Sequence, residues 1–391
     1  MTKDYIKRQF SNFYNEVIKG KFAKSEDVIK KGTLVENHAV YSRPFTNNNT
    51  YPPTITVTSD TVVNMECNGN AYMGASFNVR VIPNKTNAIT VRFNNISNTS
   101  RNVGVLFKPT QKASKYGQIV IANNTTYYDQ TFYMSWNDIK DYVTNDNLLE
   151  VSVYTLDVIT CDVSVESHYL NGEGTLYGKK VIFFGDSITT ETYDWSRLFL
   201  LITESEKIEN LAVVGANLHN FSDTVLDGNP QSNNSHTNTL ANQVQKAINN
   251  QYEQPDIVII AIGTNDGINI QQTDIDEAYN ADFAELDLTK TAHAFRYCND
   301  KIKELYPKSK VFWCNPIQGV TRSPQTIVSW ANNLRTLTAY GSVNNIETNR
   351  CGINQAEEIS KHSYLQDNLH PNFNGSMLMA KYNASAISRL F

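Results

Sequence analysis

Three segments in the second half of the chain are built on unbroken apolar runs: Val181-Ile182-Phe183-Phe184, Asp256-Ile257-Val258-Ile259-Ile260-Ala261-Ile262 and Lys310-Val311-Phe312-Trp313-Cys314. A strand that is apolar on both faces must be covered on both faces. Amphipathic stretches with helical spacing lie between these runs, at Trp195 to Ile202, Leu240 to Asn249 and Ala292 to Leu305. Buried strands alternating with helices predict a parallel sheet with helices on both sides. In such sheets a ligand binds beyond the carboxyl ends of the strands.

The first half follows a different period. Thr54-Ile55-Thr56-Val57-Thr58, Ala88-Ile89-Thr90-Val91-Arg92-Phe93, Val151-Ser152-Val153-Tyr154 and Asp162-Val163-Ser164-Val165-Glu166 alternate strictly, the pattern of half-buried strands. Several short strands with Asn- and Gly-containing breaks predict a β-sandwich of jelly-roll-like type. Ahead of it, Ile6, Phe10, Phe13, Tyr14 and Val17 fall on one face of a helix over about 3–20. That face either packs on its own domain or docks on another chain. Pro44, Asn47-Asn48-Asn49, Pro52 and Pro53 predict an irregular segment over 36–53. The expected organisation is therefore an N-terminal helix and linker (1–45), a β-sandwich (46–174) and an α/β domain (175–391). Tyr127, Tyr128, Phe132, Tyr133 and Trp136 form an aromatic stretch that suits either core packing or a sugar platform, with core packing the simpler account.

Composition excludes several classes. The net charge is −5, with no long Lys/Arg run, so nucleic acid and anionic membrane surfaces are not expected partners. The five cysteines are scattered without a CxxC pair, and His219, His236, His293 and His362 stand at no metal-ligand spacing. No metal, cofactor or disulfide framework is expected. The first twenty residues are charged throughout, unlike a secretory leader. No apolar stretch reaches the length of a membrane span.

Four segments carry the chemistry. Gly185-Asp186-Ser187-Ile188-Thr189 follows the first apolar run, so Ser187 can present its hydroxyl at the sheet edge, where N–H groups of a helix start favour negative charge. Thr189 in its last position departs from the G-x-S-x-G elbow. Asn210-Leu211-Ala212-Val213-Val214-Gly215-Ala216-Asn217 reads as a strand ending at a glycine, where a backbone N–H can closely approach a ligand. Gly263-Thr264-Asn265-Asp266 follows the second apolar run, and the Asn265 amide can donate to a developing oxyanion. In Asp367-Asn368-Leu369-His370-Pro371-Asn372, the spacing lets Asp367 fold back on the His370 ring and set its tautomer. Asp186 and Asp266 read as loop braces rather than substrate ligands. Asn217 and Trp195 are candidate lining residues with no assigned role.

These residues in this order resemble the SGNH, or GDSL-like, hydrolase superfamily, whose Ser, Gly, Asn and His match Ser187, Gly215, Asn265 and His370. The resemblance covers about 175–391. One departure stands at Ala212, where many members carry glycine. It implies a three-layer, flavodoxin-like α/β domain and a serine esterase. Ser187, His370 and Asp367 would form its triad, and Ser187, Gly215 and Asn265 its oxyanion hole. The expected substrate is an acyl ester, in particular an acetyl ester, of a cell-surface polysaccharide. A glycan-directed enzyme without a leader meets its substrate if released at lysis. This favours a bacteriophage tail component in the virion, as a homo-oligomer or attached to other virion proteins through the N-terminal helix. A bacterial cytoplasmic or non-classically exported location stands as the other expectation. The alternatives in function are a glycan-binding virion protein with a residual hydrolase scaffold and an intracellular lipase- or thioesterase-type enzyme.

Overall fold

The computed structural model describes residues 37–46, 52–59, 61–68, 73–97, 102–107, 118–120, 127–155, 158–170, 174–190, 195–232, 234, 236–361 and 364–391. The helix expected over 3–20 lies outside these residues. The first ten strands are antiparallel: β1 (Asn37–Thr46), β2 (Thr54–Ser59), β3 (Val62–Asn68), β4 (Met73–Arg80), β5 (Asn87–Ser97), β6 (Asn102–Phe107), β7 (Gln118–Val120), β8 (Tyr127–Met134), β9 (Leu148–Thr155) and β10 (Val158–Tyr169). They form two layers, in the orders β2-β3-β10-β5-β8 and β1-β4-β9-β6-β7. The start of β1 also pairs with β10, which links the layers. Alternation puts Met65, Val91, Phe93 and Val163 of one layer and Phe77, Val79, Val151 and Val153 of the other into one core.

β1 corrects the expectation of an irregular segment over 36–53, because Asn37–Thr46 is a ten-residue strand within the stretch assigned as linker. Proline obscured it. Pro44 pairs with Ala75 just past a register shift between Tyr41 and Arg43, and sheets admit proline at such irregularities.

The second half holds five parallel strands: β11 (Lys180–Gly185), β12 (Glu206–Asn210), β13 (Ile257–Ala261), β14 (Lys310–Cys314) and β15 (Asn344–Ile346). Their order is β12-β11-β13-β14-β15, the flavodoxin-like 2-1-3-4-5 arrangement, whose switch point lies between the first and third strands. The predicted helices appear as α1 (Trp195–Thr203), α2 (Leu240–Asn250) and, after α3 (Gln272–Asn280), α4 (Thr291–Leu305). They are followed by α5 (Pro324–Tyr340), α6 (Gln355–Lys361) and α7 (Phe373–Ser388). Ile182 and Phe184 of β11 face a core with Leu240, Val244, Phe295 and Leu334 from α2, α4 and α5. Val181 and Phe183 face another, with Trp195, Leu198 and Phe199 of α1 and Met379 and Ile387 of α7. Both faces of the sheet are thus covered, as the apolar runs require. The segment Asn210 to Asn217, read as a strand ending at a glycine, differs: the strand stops at Asn210, and Leu211 to Val214 lie beyond it.

The sandwich leans on the α1/α7 face. Tyr133 and Ala88 join that core, Phe132 stacks on Phe373 with ring centroids 5.2 Å apart, and Asn374 Nδ2 donates to the Tyr128 hydroxyl at 3.0 Å. The aromatic stretch of β8 is therefore largely packing, although Tyr127 remains exposed. All five cysteines are free and buried, and burial pushes every thiol up. They behave as small core side chains. Among the described residues no helix is long and apolar enough to cross a membrane, and no three His, Cys, Asp or Glu side chains gather as a metal ion requires.

Phe132 is fully buried, so Phe132→Ala removes its packing in the sandwich and its ring contact with Phe373. The expected cost is about 3–5 kcal/mol, seen as a lower urea midpoint for the transition that carries the sandwich signal.

Candidate active site

β11 delivers Ser187 to the switch point. Its last residue, Gly185, has no room for a side chain, since a Cβ there would lie 2.4 Å from the Ala261 carbonyl and 2.7 Å from Thr189 Oγ1. The buried Gln243 of α2 holds this glycine from the other side, accepting from its N–H at 3.0 Å and donating to its carbonyl at 2.8 Å. The chain then turns into a short 3-10 helix, Ser187–Thr189, capped by Asp186, which accepts from the Ile188 N–H. Asp186 is the loop brace that its place in the sequence suggested. Its other oxygen accepts from the Thr264 N–H at 3.3 Å, tying the serine turn to the loop after β13.

That loop reaches the loop after β12 through two neighbours. Asn265 Nδ2 donates to the Ala216 carbonyl at 2.8 Å, beside Gly215, whose φ of +76° is a conformation that suits glycine. Since an amide has two N–H groups, one remains to Asn265 for a ligand. Asp266 accepts from the Leu218 and His219 N–H groups at 2.7 and 3.0 Å, which makes it the second brace. Its carboxylate, 2.9 Å from His219 Nδ1, also raises the pKa of that imidazole.

The fourth segment closes over the serine. His370 Nε2 lies 2.8 Å from Ser187 Oγ, and His370 Nδ1 lies 2.8 Å from Asp367 Oδ2. Asp367 Oδ1 also accepts from the Leu369 and His370 N–H groups, a fold-back that Asn368 permits with φ +70°. Burial alone would raise the Asp367 carboxyl, but hydrogen bonds from the His370 backbone and ring, the attraction of that ring, and the Leu369 N–H hold it below its usual value. The base of the loop is cinched by Glu358, fully buried, which accepts from the Tyr364 and Leu365 N–H groups at 2.9 Å each. The Gln366 N–H donates to the His370 carbonyl, and Leu365 bridges to Pro371.

All five residues singled out from the sequence thus fall within one group: Ser187, His370 and Asp367 in direct series, with Gly215 and Asn265 on loops bonded to each other. Gln243 and Glu358, which hold this group, were not singled out; each is one polar residue on an otherwise ordinary helix, and its partners lie outside that helix. Trp195 is buried in the α1 core rather than lining the site, and Asn217, also buried, pairs through its backbone with Asn238 and Leu240.

The fold and this series define a three-layer α/β protein with a serine, a histidine and an aspartate joined at the switch point. The GDSL-like lipase/acylhydrolase family matches residues 181–383, more than half of the chain, and the chain belongs to it. It is a carboxylic ester hydrolase of the SGNH type. Among solved structures it is similar to a protein from Lactobacillus plantarum, with 17% identity over 55% of this chain and 99% of that one and a TM-score of 0.41. It is also similar to family two carbohydrate esterases. For an active-site mutant from Clostridium thermocellum the identity is 12%, over 89% and 98% of the two chains, with a TM-score of 0.38. For the Cellvibrio japonicus enzyme the identity is 12%, over 90% and 98%, with a TM-score of 0.37. No relative was found among curated proteins.

Asp186 is buried and its pKa is raised from 3.8 to about 6 by that burial, against hydrogen bonds from Thr264 and Ile188 that lower it. The folded state therefore holds this proton more tightly than the unfolded chain. The stability it contributes is full below about pH 4 and is lost as pH rises through about 6. Wild type should lose about 2–3 kcal/mol across that window relative to Asp186→Asn, measured by urea denaturation of both proteins at its two ends.

Proposed function

We propose that this protein is a serine esterase that removes acetyl or similarly small acyl groups from a polysaccharide. The observation that carries the chemistry is the unbroken series Ser187 Oγ–His370 Nε2–His370 Nδ1–Asp367 Oδ2, with both links 2.8 Å long. In this reading Ser187 is the nucleophile, His370 the general base and then acid, and Asp367 the group that orients the imidazole and stabilises its charged form.

The hydroxyl proton passes to Nε2 as Oγ bonds to the ester carbonyl carbon, and the carbonyl electron pair moves onto oxygen. The N–H groups of Ser187 and Gly215 and the Asn265 amide receive that charge. Collapse of the tetrahedral intermediate breaks the bond to the alcohol oxygen, which takes the proton from His370. Water then repeats the sequence on the acyl-serine, releasing the acid and restoring the hydroxyl.

The surroundings of the site support this substrate class. The exposed Asn265 and the half-buried His219 stand on two loops bonded to each other beside Gly215, polar groups that suit a hydroxyl-rich alcohol more than an acyl chain of many carbons. The division into residues 1–45, 46–174 and 175–391, with its first boundary moved ahead of β1 at Asn37, the jelly-roll-like character of the sandwich, and a virion location with assembly through the N-terminal segment belong to the same reading and rest on the sequence.

Ser187→Ala should abolish acetate release from acetylated polysaccharides. Asn265→Ala should keep the fold and lose roughly 10²–10³ in kcat, the cost of one oxyanion donor. Unchanged turnover in Asn265→Ala removes that residue from the hole. Fast hydrolysis of long-chain esters, with none of acetylated glycans, reverses the choice of substrate.

A further inference from the structure

Among its described residues, the stretch 217–239, between the Gly215 loop and α2, holds only isolated bridges, and it carries a group of rings that the reaction does not use. His219, Phe221 and His236 lie side by side. Ring centroids are 6.5 Å apart for His219 and Phe221 and 5.1 Å apart for Phe221 and His236, the second pair inclined by 37°. Nδ1 of each imidazole faces a carboxylate. His219 Nδ1 lies 2.9 Å from Asp266 Oδ2, and His236 Nδ1 lies 2.5 Å from Asp223 Oδ1. Committing Nδ1 in both rings leaves Nε2 as the nitrogen that meets a ligand.

The strip is open to solvent. The His236 and Asp223 side chains are 52% and 65% exposed and that of His219 is 28% exposed. Phe221 is half-buried, and the residues that follow it, Ser222 and Asp223, are exposed. The strip is also tied to the reaction centre. Asp266, which anchors His219 by ring and by backbone N–H, is the direct neighbour of Asn265, and Asn265 bonds the Ala216 carbonyl on the loop that carries His219. A half-buried aromatic ring between two imidazoles that face carboxylates offers an apolar surface beside polar groups, the mixture that small polar ligands need.

We propose that His219, Phe221 and His236 form a subsite for a pyranose ring of the substrate's alcohol portion. The C–H face of the sugar lies against Phe221, and its hydroxyls donate to the imidazole Nε2 atoms and the Asp223 carboxylate. The subsite rests on the esterase reading above and names the part of the substrate that this chain grips.

The test compares two esters. One set is O-acetylated xylo-, manno- and gluco-oligosaccharides; the other is p-nitrophenyl acetate, which has no sugar. Phe221→Ala should lower kcat/KM on the best oligosaccharide at least tenfold more than on p-nitrophenyl acetate, about 1.4 kcal/mol of selective binding, mainly through KM. Phe221→Trp should restore most of it. A selectivity ratio within twofold of wild type overturns the subsite and leaves the esterase reading standing. A wild-type enzyme that hydrolyses p-nitrophenyl acetate and none of the oligosaccharides overturns the polysaccharide reading and the subsite together. Full p-nitrophenyl acetate turnover by Ser187→Ala overturns the assignment of the nucleophile.

Discussion

The contact between Ser187 Oγ and His370 Nε2 joins two segments 183 residues apart, and a set of buried polar side chains holds its two ends. Neither end is rigid by itself. Ser187 sits on a single 3-10 turn, and His370 sits on a loop that stands clear of any strand or helix. A hydrogen bond between mobile groups contributes little, because ordering them costs conformational entropy. The fold meets that cost in advance. On the serine side Gln243 satisfies both backbone groups of Gly185, and Asp186 caps the turn while tying down Thr264. On the histidine side Glu358 gathers the incoming chain and the Val320 N–H donates to the Asn368 carbonyl.

These supports share a chemical character. Asp186, Gln243 and Glu358 are polar side chains buried almost completely, and each spends its oxygens on backbone N–H groups. Burying such groups without partners is costly, so each has one satisfied geometry, and the loop it holds inherits that geometry. The sandwich adds to this from outside. Phe132 and Tyr128 of β8 engage Phe373 and Asn374, the first residues of α7, which begins three positions after His370. The packing of the sandwich therefore bears on the catalytic end of the hydrolase sheet.

Much of this was readable in the sequence, for identifiable reasons. The apolar runs of β11, β13 and β14 announce strands covered on both faces, and the helices between them show a clear apolar stripe. The edge strands β12 (Glu206-Lys207-Ile208-Glu209-Asn210) and β15 (Asn344-Asn345-Ile346) escaped, because an edge strand is only partly covered and its residues stay polar. The apolar stretch Leu211 to Val214 drew attention to itself instead, although it lies in the loop beyond β12. β1 was concealed by Pro44 and its irregular pairing. The five site residues were legible because each sits next to a glycine, a strand end or a short local spacing. Gln243 and Glu358 were not, because their importance lies in partners 58 and 6 to 7 residues away that only the folded chain brings near.

The central claim is that one hydroxyl in this molecule is activated by the imidazole beside it, and covalent capture tests it most directly. A fluorophosphonate probe reacts with a serine whose proton is being withdrawn, and mass spectrometry of the digested protein locates the adduct. The account predicts a single adduct, on Ser187, that forms far more slowly in His370→Ala. No adduct on the folded wild-type protein, or an adduct on another serine, would contradict it.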